Sequence, residues 1–271
     1  MIDLTTIILT YNEELNIEKC INSVKNISKR IVLIDSYSTD RTVEIARELG
    51  AEVYQNEWTN HATQYRYGIE KSQIDTKWIL RLDADERLTS DVASELEYLC
   101  EKNNDTDING IVLRFEVSFL GKKLRHGGIY PFRKLVVYKA GCGDIENRNM
   151  DEHIVLTEGR SITTKNDCIH EDYKDLTAWI DKHNKYSTKE VMDYYDNKYK
   201  SNGKNTSNSL TRRIYYSLPM GIRPFLYFCY RYIFRLGFLD GKEGLIFNFL
   251  QAWWYWFLVD AKIYERNLNN K

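Results

Sequence analysis

Two carboxylates, Asp83 and Asp85, flank the small Ala84 and have the composition of a loop that holds a divalent cation. In an extended turn, residues i and i+2 project to the same side, so both acids can converge on one ion or its water shell. Mg²⁺ and Mn²⁺ take oxygen ligands and are commonly held by one or two carboxylates together with phosphate oxygens. A phosphorylated substrate held this way needs no glycine-rich loop, and none is present. Neither G-x-G-x-x-G nor G-x-x-x-x-G-K-[ST] occurs, Gly141-Cys142-Gly143 lacks a third glycine, and H-E-x-x-H is absent. The same acids could instead only charge the turn before a helical stretch at Asp91 to Leu99, so the position of the loop decides its weight.

The elements that must position this loop are short apolar runs alternating with amphipathic stretches. Thr5 to Leu9 is followed by Glu13 to Val24, Arg30 to Ile34 by Arg41 to Leu49, Glu52 to Tyr54 by His61 to Lys71, and then comes Trp78 to Leu82. This pattern predicts an α/β fold with a parallel sheet covered by helices. Ligands in such sheets sit at the carboxyl ends of the strands. The residues found there are polar: Thr10-Tyr11-Asn12-Glu13, Asp35-Ser36-Tyr37-Ser38, Gln55-Asn56 and Asp83-Ala84-Asp85-Glu86. Further on, Ile111 to Phe119 and Leu135 to Tyr138 read as paired strands around the turn Arg125-His126-Gly127-Gly128, a mixed or antiparallel edge. His126 with its two glycines reads as lining a ligand pocket, because glycine allows close backbone approach.

The ordered series Thr10-Tyr11-Asn12-Glu13-Glu14, Ile34-Asp35-Ser36-Tyr37-Ser38-Thr39-Asp40-Arg41-Thr42 and Leu82-Asp83-Ala84-Asp85-Glu86 resembles the family 2 glycosyltransferases of the GT-A fold, a Rossmann-like mixed sheet flanked by helices. Within that family it is similar to bacterial enzymes of lipopolysaccharide-core and polysaccharide synthesis. The likeness extends to His126-Gly127-Gly128-Ile129-Tyr130-Pro131, Asp151-Glu152-His153 and Gly237-Phe238-Leu239-Asp240-Gly241-Lys242.

The resemblance implies a nucleotide-sugar donor, with UDP favoured. It places Thr10, Tyr11, Glu13 and Asp35 at the base and ribose, with Ser36 where many relatives have a second acid. Gln64 and Arg66 fall where relatives contact the nucleotide or phosphate, the alternative for both being a solvent-facing helix side. Asp83 and Ala84 would adjoin the diphosphate, and Asp85, Asp83 and His170 would hold Mn²⁺ or Mg²⁺. An inverting transfer needs a general base for the acceptor hydroxyl, and the acidic motif offers Asp151, or failing it Glu152. The acceptor implied is a cell-surface glycan or its lipid carrier. Two rival readings are a sugar-1-phosphate nucleotidyltransferase, which would want a glycine-rich basic loop after its first strand, and a non-catalytic membrane or nucleic-acid adaptor.

The chain has 271 residues and a formal net charge of -1, so its composition gives no reason to expect nucleic-acid binding by bulk charge. Five scattered cysteines without a C-x-x-C pair suit a reducing cytosol, and the start of the chain shows no signal-peptide pattern. Composition shifts between Asn197 and Ser209, which divides the chain into a catalytic domain over residues 1–195 and a helical extension over residues 196–271. From Lys198 to Leu239 there is no Asp or Glu, while arginines such as Arg212, Arg213, Arg223, Arg231 and Arg235 alternate with aromatic residues. Such a segment suits anionic lipid headgroups or a lipid diphosphate, placing the protein peripherally at the cytoplasmic face of the membrane; single-stranded nucleic acid would suit it too, and a helical hairpin or homo-oligomer contact is the bland alternative. Leu245 to Val259 is apolar and tryptophan-rich but short of the roughly 20 residues of a spanning helix, so it is expected to lie in the interface or pack on protein.

Overall fold

A computed structural model describes residues 1–146, 152–200 (backbone alone after Tyr195) and 218–269. They fall into two compact units. The first comprises residues 1–118, 131–147 and 151–173, and the second residues 119–130, 148–150 and 174–271.

The first unit is built on strands β1 (Ile2–Thr10), β2 (Ser28–Asp35), β3 (Glu52–Gln55) and β4 (Trp78–Asp83), with helices α1 (Ile17–Val24), α2 (Thr42–Glu48), α3 (His61–Ser72) and α4 (Ser90–Lys102) between and after them. The order β3-β2-β1-β4 is parallel throughout. Its central strands are almost wholly apolar because both faces are covered. Along β1, Leu4 and Ile8 pack in one core and Ile7 and Leu9 in the other, as the period of two requires. Helix α1 buries Ile17, Cys20, Ile21 and Val24, the i, i+3, i+4, i+7 stripe of a helix lying on a sheet. Side-chain caps fix two helix starts, Asn60 accepting from the Thr63 amide and Thr89 from the Val92 amide.

The sheet continues through β6 (Ile108–Phe119), β8 (Phe132–Lys139), β11 (Arg160–His170) and the two-residue β5 (Glu86–Arg87), in the order β4-β8-β6-β11-β5. β8 is antiparallel to both β4 and β6, so the antiparallel pairing lies inside the sheet, whereas the sequence placed it at an edge. The edges are β3 and β5. A separate hairpin joins β9 (Gly143–Ile145) to β10 (Ile154–Leu156).

The second unit contains β7 (Lys122–Lys123), α5 (Leu176–Lys200), α6 (Ile222–Cys229), a π-helical turn Tyr230–Phe234, a 3-10 turn Gly237–Asp240, α7 (Gly241–Asn248), a second π-helical stretch Phe249–Trp254, and α8 (Tyr255–Asn269). Val191 and Tyr195 of α5 pack with Tyr255 and Val259 of α8. Residues 174–195 therefore lie with the helical part, although their composition grouped them with the catalytic domain. The apolar run Leu245 to Val259 packs in part through this same cluster, which includes Trp254 and Trp256.

Candidate active site

The ends of β1 and β2 are laced together. Thr10 Oγ1 donates to Asp35 Oδ1 at 3.2 Å, Asn12 N donates to Ser38 Oγ at 2.8 Å, and Glu13 N donates to Thr42 Oγ1 at 2.7 Å. The Glu13 carboxylate accepts from Asn16 Nδ2 at 2.7 Å. Asp35 is fully buried and takes four donors: Thr10 Oγ1, Ser38 Oγ, Ser38 N and Gln55 Nε2. A carboxylate has about four lone-pair sites, so Asp35 is saturated. A ligand group that reaches Asp35 must displace one of these donors, and Gln55, the exposed one, is the easiest to release. Tyr11 and Tyr37 sit on these cross-bonded turns with 54% and 57% of their surface exposed. Tyr37 adopts φ +59°, an uncommon conformation outside glycine.

Gln64 and Arg66 are committed to the fold. Gln64 is fully buried, donates to Ser36 Oγ at 2.6 Å and to the Asn56 carbonyl at 3.0 Å, and accepts from Asn56. It is not a solvent-facing residue, and Ser36 belongs to the same network. Arg66 makes a two-pronged ion pair with Asp144, at 3.1 and 2.9 Å, and donates to the Ile145 carbonyl at 2.7 Å, pinning β9 to α3.

The acidic loop follows β4. Ala84 is buried, and Asp83 keeps a third of its side chain exposed. Lys134 lies on β8, the antiparallel neighbour of β4. Lys134 Nζ donates to Asp83 Oδ2 at 2.9 Å and to Glu86 Oε1 at 2.6 Å. Arg81, two residues before Asp83 on the same strand face, adds a contact of 3.5 Å to Asp83 Oδ1. Burial pushes the Asp83 carboxyl up, but Lys134 and Arg81 outweigh it and hold the group well below the usual carboxylate range. At Glu86, burial wins over Lys134 and raises the carboxyl, with the Asp83 charge adding to the rise.

His170 reaches this loop because β11 pairs with β5, His170 lying opposite Glu86. Its Nε2 stands 3.5 Å from Asp85 Oδ2. Burial lowers the imidazole's basicity, but the Asp85 charge more than restores it. His170 Nδ1 is buried without a hydrogen-bond partner. Asp85 and His170 thus supply an oxygen and a nitrogen on one side, while Asp83 is engaged by Lys134. Among the described residues no three His, Cys, Asp or Glu side chains gather as a protein-only cage. The three-ligand set expected from sequence reduces to the pair Asp85 and His170, a donor set that fits a cation sharing its shell with phosphate oxygens.

Of the candidate bases, Asp151 lies outside the described residues. Glu152 enters the hairpin β9–β10, and its carbonyl accepts from Arg81 Nη1 at 3.3 Å. Arg81 is buried, and its charge faces Glu152 as well as Asp83. Sequence reasoning missed Lys134 and Arg81. For Arg81 the available signal was a cation inside an otherwise apolar strand, which burial permits only beside a carboxylate.

His126, Gly127 and Gly128 belong to the second unit and serve its packing. Asp240 accepts from the Arg125 and His126 amides at 3.0 and 2.9 Å and lies 2.7 Å from His126 Nδ1. Gly127 has φ +70°, donates to the Arg235 carbonyl and accepts from Arg231, and a Cβ there would come within 2.8 Å of Asn248 Oδ1. The close approach foreseen at these glycines is met within the unit by Asn248 and Arg235.

A mixed sheet with polar strand-end turns and an acid loop after the fourth strand defines a GT-A-type transferase. The profile described as "Glycosyl transferase family 2" matches residues 5–153, and the chain belongs to that family. An uncharacterized glycosyltransferase of Rickettsia typhi is 27% identical over 99% of this chain and 89% of its own length. One from Rickettsia bellii is 41% identical, over 37% of this chain and 34% of that protein. The lipopolysaccharide core biosynthesis glycosyltransferase LpsC of Rhizobium meliloti is 26% identical over 97% of this chain and 93% of its own. Among solved structures, the mannosyltransferase PcManGT of Pyrobaculum calidifontis, in complex with GDP-Man and Mn²⁺, superposes with a TM-score of 0.54 at 14% identity, covering 99% of this chain and 88% of that one.

Proposed function

We propose that the protein is an inverting, metal-dependent glycosyltransferase that moves a sugar from a nucleoside diphosphate, UDP favoured, to a hydroxyl of a cell-surface glycan or lipid-linked acceptor. The observation that carries this reading is the pairing of β5 with β11, which brings His170 from the far end of the unit to Asp85 in the acid loop. A divalent cation bound there would neutralise charge on the departing diphosphate. The exposed rings of Tyr11 and Tyr37 offer faces for the nucleobase beside the buried Asp35. Asp151, or Glu152, accepts the proton of the acceptor hydroxyl as its oxygen bonds to the anomeric carbon. The bond from that carbon to the diphosphate breaks on the opposite face, and the nucleoside diphosphate leaves. The likeness to LpsC supports an acceptor of the lipopolysaccharide-core class, and residues 196–271 would keep the enzyme peripherally at the cytoplasmic face of the membrane.

The test is a panel of nucleotide sugars incubated with the protein and Mn²⁺, scored for slow donor hydrolysis. One donor turned over in a metal-dependent way is expected. No turnover of any donor with or without metal would overturn the proposal.

A further inference from the structure

Residues 218–249 of the second unit are built inside out. In a water-soluble domain, charged residues face solvent and large apolar ones are covered. Here the side chains turned inward include Arg223, Arg231, Asp240 and Asn248, all at most 8% exposed. Each has work to do there. Arg223 pairs with Asp260, Arg231 donates to the Gly127 carbonyl, Asp240 takes the His126 amide and ring, and Asn248 donates to the Gly244 carbonyl. The side chains turned outward include Phe225, Leu226, Ile233, Phe234, Leu236 and Leu239, exposed by 45% to 75%. They recur over residues 225–239, on α6, the π-helical turn, the 3-10 turn and Leu236 between the two turns, and so outnumber the scattered single apolar residues any surface carries.

From this we infer that the outer face of residues 222–249 inserts into one leaflet of an anionic lipid bilayer and lies in its interfacial plane. The inference rests on the peripheral-membrane part of the proposed function and gives it a defined surface. One observation selects lipid over other occupants, and a second sets how deep the face lies. First, among residues 218–249 the exposed charged side chains are Arg235 and Lys242, both basic. The two acids are withdrawn, Asp240 by burial and Glu243 by partial burial and its ion pair with Lys122. Anionic headgroups attract such a rim, whereas a second copy docked by a two-fold axis would bring like charges together. Second, no helix of the described residues is long and apolar enough to cross a membrane. A face that is apolar outside and hydrogen-bonded inside therefore fits shallow burial at the headgroup boundary. The tryptophans of Leu245 to Val259, a run expected to lie in the interface or pack on protein, are not this face: Trp253, Trp254 and Trp256 are half-buried.

The experiment is co-sedimentation of the full chain with vesicles of phosphatidylethanolamine and phosphatidylglycerol, and with vesicles of phosphatidylcholine alone. Variants are Ile233→Glu/Phe234→Glu and Arg235→Glu/Lys242→Glu. The native chain is expected to bind the anionic vesicles, with the first variant binding at least about tenfold more weakly. The second variant should lose the preference for anionic lipid, and both should keep the native circular dichroism and Mn²⁺-dependent UDP binding. Native binding that the first variant retains would overturn this face while leaving a membrane role elsewhere. No binding by the native chain would remove the membrane reading itself, with transferase activity still to be judged by donor turnover. A dimer in solution that dissociates in Ile233→Glu/Phe234→Glu, without vesicle binding, would assign the face to a second copy and overturn the inference.

Discussion

Lys134 Nζ sits 2.9 Å from Asp83 Oδ2 and also holds Glu86, so the acid loop carries its own counter-cation from the neighbouring antiparallel strand. The side chain is 16% exposed and Glu86 is fully buried, which makes the pair costly to break from one side. Lys134→Met is expected to destabilise the protein by about 2–4 kcal/mol, because removing one partner strands buried charge. Adding Glu86→Gln should recover part of that loss. Urea unfolding of the two single variants and the double variant checks it. Strictly additive losses would contradict the coupling.

Arg81 contacts Asp83 Oδ1 and the Glu152 carbonyl from one buried guanidinium, bracing the acid loop against the segment that carries the candidate base. Arg81→Met is expected to lower kcat by about 10–100-fold through misplaced groups while the donor KM changes less than threefold, an effect of orientation rather than binding. Arg81→Lys, which keeps the charge but not the two-pronged reach, should restore little of it. Steady-state kinetics with the active donor decides. A variant with native kcat would show that the brace has no part in turnover.

His183 is stacked on Trp179, with ring centroids 3.5 Å apart, and its Nδ1 bonds the Trp179 carbonyl at 2.8 Å. Burial pushes its pKa down from 6.5 to about 4. The fold thus favours the neutral ring. Its contribution to stability is complete above pH 6.5, falls as pH drops from 6.5 to 4, and is gone below. By linkage the loss is about 3 kcal/mol. Urea unfolding across this range should show the native chain losing that much more stability than His183→Phe. Parallel curves for the two proteins would contradict the buried neutral assignment.

Much of the sheet was legible because each strand is a short apolar run closed by a polar turn. β1 to β4 and their helices fall within a few residues of the expected positions. His170 was legible for the same reason, standing at the end of such a run. Lys134, Arg81 and Gln64 were not, because their roles depend on which strands become neighbours. The β4–β8 pairing joins segments some fifty residues apart (|i−j| = 51 for Lys134 and Asp83), and no local periodicity reports it. The C-terminal segment advertised its basic and aromatic composition, but composition is silent about facing. Only the burial of Arg223, Arg231 and Asn248 reveals which side is turned out.

The central claim is that Asp85 and His170 bind a divalent cation together with a nucleoside diphosphate. Calorimetric titration of UDP into the protein with and without Mn²⁺, repeated on Asp85→Ala and His170→Ala, tests it most directly. UDP binding is expected to depend on Mn²⁺ and to weaken by at least about tenfold in each variant, with melting behaviour otherwise native. Equal UDP affinity with and without Mn²⁺, or native affinity in both variants, would contradict it.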